Sequence, residues 1–75
     1  MDITPETRLM DILEAYPWLT EELPKRDERL SIINSPLARF LLKRADIAEA
    51  ARRTEYPPEV LIEKLQGIIA NREEG

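Results

Sequence analysis

The chain reads as an all-α protein, a compact multihelical domain of about five short helices. Three observations predict this. No stretch keeps the apolar–polar alternation of a half-buried strand, and β-branched residues are scattered rather than grouped. Only two glycines occur against six prolines, which leaves little for hairpin turns and much for helix punctuation. Between those prolines, apolar residues recur at spacings of three and four, the period of a helix with one buried face.

The first helix is expected from about Arg8 to Tyr16, with Thr7 as N-cap because its hydroxyl can accept a bond from a free first-turn amide. Leu9, Ile12, Leu13 and Tyr16 make its apolar stripe. Pro17 ends it, since the residue before a proline is pushed away from the α conformation. The same proline opens a second short helix at its first position. Leu19 and Leu23 face inward there, and Pro24 closes it. Lys25 to Asn34 has the weakest pattern: a mixed charge run expected as a solvated loop or frayed turn, after which Leu30, Ile32 and Ile33 return to the core.

The third helix has the clearest start, with Ser35 as N-cap and Pro36 at the first position. Leu37, Phe40 and Leu41 are expected as its buried stripe, with Arg39 and Lys43 four apart on a more exposed face. Asp46-Ile47-Ala48-Glu49 is a capping box for the fourth helix, which buries Ile47, Ala50 and Ala51. Pro57-Pro58 separates it from the last helix, about Pro58 to Ala70. Leu61, Leu65 and Ile68 form one stripe there, widened by Ile62 and Ile69. Residues 1–70 thus make a single helical domain, and 71–75 a polar tail that frays.

Seventy-five residues are enough for one thin core, burying about 60% of the unfolded surface. Cysteine and histidine are both absent, which rules out thiol chemistry, disulfides, a Ser-His-Asp triad and a Cys/His zinc site carried by this chain alone. No calcium loop and no glycine-rich phosphate loop occurs, and neither cofactor nor metal is expected. Glu21-Glu22 and Glu73-Glu74 are adjacent and diverge on a helix, while Glu59 and Glu63 share a face without apolar neighbours to raise a pKa. Solubilising surface is the better account of all three, so the chain is not expected to be an enzyme. No signal peptide and no apolar run of about 18 residues is present; a cytoplasmic location and no membrane engagement are expected.

The net charge of −4 argues against a general nucleic-acid binder, but the charge is segregated. Residues 1–24 and 54–75 are acidic, whereas residues 25–53 carry most of the lysines and arginines. Mutual neutralisation on folding is the simpler account. The sharper one is a basic face, Arg39, Lys43, Arg44, Arg52 and Arg53, for an acidic partner or a nucleic acid. Residues 48–61 have the outline of a helix-turn-helix, yet the second helix would begin Pro58-Glu59-Val60-Leu61-Ile62-Glu63, and its glutamates would repel phosphates. Two helices packing in a bundle is preferred. Trp18 and Tyr56 suit either a partly buried core position or an interface anchor, with the core favoured for Trp18. Five large aliphatics on the last helix also admit self-association through an uncovered patch.

The motifs in order resemble the domain-of-unknown-function family DUF eighteen fifty-eight, related to the redox-disulfide domain associated with the hybrid cluster protein. The resemblance spans Ile3 to Ile69. It rests on Ile3-Thr4-Pro5-Glu6-Thr7 with Ile12-Leu13-Glu14-Ala15-Tyr16-Pro17, on Leu30, Ile33, Pro36, Leu37 and Arg39, and on Asp46-Ile47-Ala48-Glu49-Ala50-Ala51. Ser35 stands where the cysteine-free branch usually has Asn, and Leu30 where it has an aromatic. The resemblance implies a compact multihelical fold, found alone or beside sensor modules. The cysteine pair of some relatives is missing here, so their suggested redox role does not transfer. Arg39, shared with that branch, is expected to bond nearby carbonyls rather than anchor an anion.

The resulting expectation is a non-catalytic helical interaction or regulatory module that binds a protein partner or itself. Its candidate surface comprises Trp18, Arg39, Lys43, Arg52, Ile62 and Ile69.

Overall fold

The computed structural model describes residues 2–74. Five α-helices and one 3-10 helix follow in order: α1 (Leu9–Ala15), α2 (Leu19–Arg26), the 3-10 helix (Glu28–Asn34), α3 (Pro36–Leu41), α4 (Ile47–Thr54) and α5 (Pro58–Glu74). No strand occurs among the described residues, and the class is all-α as the sequence predicts.

Two helix starts follow their local signals. The Ser35 hydroxyl accepts the Ala38 N–H at 3.4 Å, with Pro36 in the first turn of α3. Asp46 accepts the Glu49 N–H at 2.9 Å and opens α4. Glu49 turns its own carboxylate to Arg52 and Arg53 rather than back toward Asp46.

Other boundaries depart from the sequence reading, each for a visible reason. Thr7 does not cap α1: its hydroxyl takes the Thr4 N–H at 2.9 Å in a turn ahead of the helix, and Arg8 is the uncapped N-cap. Pro17 likewise lies in a turn before α2, whose N-cap is Trp18. Pro24 does not stop α2, which continues to Arg26. A proline ring inside a helix removes one N–H and crowds the preceding turn, a cost of about 3 kcal/mol. Burial of Leu19 and Leu23 on either side of that turn, both almost wholly hidden, offsets it at about 1.5–3 kcal/mol each.

The charged run that followed was expected as a loop, but it is ordered. Asp27 caps the 3-10 helix by accepting the Arg29 N–H at 3.0 Å. Leu30 and Ile33 then enter the core three residues apart, the repeat of a 3-10 turn. At the far end α5 runs through Glu74, so residues 71–74 are helical rather than a frayed tail; Gly75 lies outside the described residues. On α5 the buried stripe is Leu61, Leu65 and Ile69, with Ile68 half-buried. Ile68 and Ile69 therefore exchange the roles expected of them.

The first residues are tied down by backbone pairing. The Leu9 N–H donates to the Ala45 carbonyl at 3.0 Å, the Ile47 N–H to Thr7 at 2.8 Å and the Ala48 N–H to Pro5 at 3.0 Å. These bonds occupy amides at the starts of α1 and α4 that an isolated helix leaves open. At the other end of α4, Thr54 is buried with its hydroxyl donating to the Ala50 and Ala51 carbonyls. Glu55 then reverses the chain in the left-handed region, φ 64°, where glycine is usual.

In α3 the expected stripe is on the wrong side. Leu37, Phe40 and Leu41 are 68%, 73% and 52% exposed, while Ala38 and Leu42 face the core. The two sets lie roughly 130° apart around the helix. Both have helical spacing, so periodicity alone cannot choose between them. The small Ala38 allows close approach to the 3-10 helix, against which α3 packs.

Neighbouring leucines should therefore behave differently. Leu42→Ala should lower unfolding free energy by about 2–5 kcal/mol, and Leu41→Ala by under about 1 kcal/mol. Urea denaturation of the two variants measures both.

Candidate functional site

The uncovered face of α3 is built by local rules. Ser35 and Pro36 fix where the helix begins, and its brevity leaves it one turn and a half to bury only Ala38 before Leu42 enters the core. The remaining apolar side chains, Leu37, Phe40 and Leu41, point to solvent. They are the large hydrophobics most exposed among the described residues. Their combined exposed area is on the order of 350 Å2, a size that on small proteins often marks a functional patch. Beside it, Phe40, Leu41, Lys43 and Arg44 line a shallow depression of about 320 Å3.

Arg26 pairs with Glu22 at 3.0 Å, Arg52 and Arg53 with Glu49 at 3.1 and 3.4 Å, and Lys64 with Asp27 at 3.4 Å. Arg39, Lys43 and Arg44 make no ion pair among the described residues, and all three are exposed. The basic face read from the sequence thus divides. Arg52 and Arg53 are taken up by Glu49, while Lys43 and Arg44, both exposed and without an ion pair, stand beside Phe40 and Leu41. Arg39 makes no side-chain bond to a carbonyl among the described residues, contrary to the structural role expected for it.

The other candidates fall elsewhere. Trp18 is half-buried, its ring edge-on to Tyr16 at 6.2 Å and covered by the Arg72 guanidinium at 4.7 Å. Ile62 is half-buried beside the core. Ile69 is buried in it, which removes it from any interaction surface. Leu37, Phe40 and Leu41 were missed as surface residues, and the signal that could have found them is the second stripe, Ala38 and Leu42, on the same helix.

A second polar cluster joins distant parts of the chain. The Tyr56 hydroxyl donates to Asp27, whose carboxylate also receives Lys64 and the Arg29 amide. The Arg29 guanidinium and the Lys64 ammonium lie 5.0 and 5.2 Å from the centre of the Tyr56 ring, within cation–π range. The bond from Tyr56, with further help from the Arg29 amide and Lys64, holds the Asp27 carboxyl below its ordinary range. The same bond raises the Tyr56 phenol. Both shifts deepen the resting protonation states at neutral pH. A general acid or base needs the reverse, a pKa drawn toward the working pH. This cluster is a joint that pins the Pro57-Pro58 turn to the end of α2. Beside it Arg26, Asp27, Lys64 and Asn71 border an open groove of about 350 Å3. Inside the core, the enclosed space is only about 20 Å3 and apolar, about one water-sized sphere. No three potential metal ligands gather among the described residues.

The joint has a defined pH signature. Asp27 contributes stability above its unfolded pKa of about 3.9, and that contribution is lost as pH falls through the lower folded value. Tyr56 contributes below about pH 10 and loses its contribution as pH rises through its raised folded value. Tyr56→Phe should be less stable than the parent between those limits, and the gap should narrow in acid and in alkali. Urea midpoints across pH test this.

Comparisons with protein-family models, with curated proteins and with solved structures find no match to this chain.

Proposed function

We propose that this chain is a small non-catalytic interaction module whose docking surface is the Leu37–Phe40–Leu41 face of α3, with a protein segment as its occupant. The observation that carries the reading is Phe40, the one phenylalanine of the sequence, standing 73% exposed between two exposed leucines. Apolar side chains clustered in water raise the risk of aggregation without helping the fold, and a partner that covers them gains their burial. At about 25 cal/mol per Å2, some 350 Å2 is worth roughly 9 kcal/mol gross. Losses of motion on association offset about 4–15 kcal/mol, so the area that the partner itself buries decides how long the contact lasts.

Arg39, Lys43 and Arg44 support an anion-binding reading as well. Phe40 and Leu41 beside Lys43 and Arg44 fit phosphates less well than they fit a protein. Kinship with DUF eighteen fifty-eight belongs to the same proposal, since it would add a sensor-linked setting for such a module. A cytoplasmic location is part of it too.

The test compares the parent with Phe40→Asp/Leu41→Asp as immobilised baits in native cytosol. Both positions are exposed, so the variant should keep its circular dichroism and change stability by less than about 0.5 kcal/mol per site. A protein captured by the parent should be lost from the variant. Equal capture by a folded variant would remove α3 as the docking surface.

A further inference from the structure

Resting on the docking reading above, we infer that the occupant of the α3 face is an acidic amphipathic segment, an apolar stripe flanked by carboxylates. The uncovered apolar group shares one short stretch, residues 37–44, with three exposed cations that have no ion pair among the described residues, Arg39, Lys43 and Arg44. Elsewhere Arg26, Arg52, Arg53 and Lys64 each have a carboxylate within 3.4 Å, and Arg29 and Arg72 lie over aromatic rings. Arg8 and Lys25 are exposed without an ion pair among the described residues but have no exposed large apolar group next to them in the sequence. The depression between Phe40, Leu41, Lys43 and Arg44 has two apolar walls and two basic ones. A side chain seated there would place its neighbours beside Lys43 and Arg44, where carboxylates are favoured. This is the helix-in-groove mode of recognition with a basic rim.

Other occupants fit less well. A two-fold pairing through α3 would bring Arg39, Lys43 and Arg44 of one copy against the same cations of the other. An anionic bilayer is an extended plane and meets the whole molecule, whose net charge is −4. A short peptide meets only the basic stretch, because charges beyond about 8 Å are screened at physiological salt. The depression is concave, suited to receive a side chain rather than to insert one.

The experiment follows the amide spectrum of the full chain on titration with two helical peptides of about 18 residues. One carries leucine and phenylalanine along one face and glutamate beside them; its twin has glutamine for every glutamate. Shifts are expected at residues 37–44, with the acidic peptide binding roughly tenfold more tightly at low salt. That advantage should vanish at about 0.5 M salt and in Arg39→Gln/Lys43→Gln/Arg44→Gln, whose altered side chains are all exposed. Equal binding of the two peptides would overturn the acidic partner and leave the docking surface standing. Shifts at these residues produced only by self-association seen in sedimentation would do the same, and shifts produced only by phosphatidylserine vesicles or only by mixed-sequence oligonucleotides would overturn the protein occupant as well. No shift with any probe would sink both the acidic partner and the docking surface.

Discussion

Ile12, Leu19, Leu23, Leu42, Ile47 and Leu65 are the largest fully buried side chains, and they come from α1, α2, the turn after α3, α4 and α5. α1 to α4, of six to eight residues, are too short to stand alone in water, so they persist because they deliver side chains to that common centre. The helix edges follow from the same demand. α2 continues through Pro24 because Leu23 is needed inside, and the 3-10 helix exists because Leu30 and Ile33 must both reach the core from a short span. A core this thin also has a limited reach. Ala38 and Leu42 take the only share of it that α3 receives, and the second apolar stripe of that helix is left in water.

Polar contacts are arranged around this centre rather than within it. The Asp27 carboxylate gathers a tyrosine, a lysine and a backbone amide at the junction of α2, the 3-10 helix and α5. Trp18 and Arg72 make a comparable clasp between the start of α2 and the end of α5. Together they fix α5 at two points along its length, so its last turns stay on the body of the molecule. Glu22 and Glu49 pair within their own helices and Asp27 reaches across to Lys64, and no carboxylate among the described residues pairs with Arg39, Lys43 or Arg44.

Features set by neighbouring residues were legible in the sequence. Ser35-Pro36 and Asp46 announced their helices because a cap needs only a side chain and an amide three positions on. The apolar period of α1 and α4 was legible for the same reason. What depended on distant partners was not. Asp27 and Tyr56 stand 29 positions apart, and nothing local to either marks the bond. Pro24 read as a stop because the burial that overrides it comes from other helices. The candidate site was half legible: Arg39, Lys43 and Arg44 were recognised as a basic group, while Leu37, Phe40 and Leu41 were assigned to the core. Helical spacing identified their shared face correctly, but which face turns inward is decided by what packs beside the helix.

The backbone bonds between residues 5–9 and residues 45–48 bear on the order in which the chain assembles. Several of the packed pairs join elements adjacent in sequence: α2 with the 3-10 helix, the 3-10 helix with α3, α4 with α5. These form at small loop-closure cost. Joining the first segment to α4 closes a loop of nearly forty residues, an entropic cost of about 3 kcal/mol. The middle of the chain can condense first, with the N-terminal segment docking last, so folding speed should depend more on the α2–α3 region than on residues 3–9.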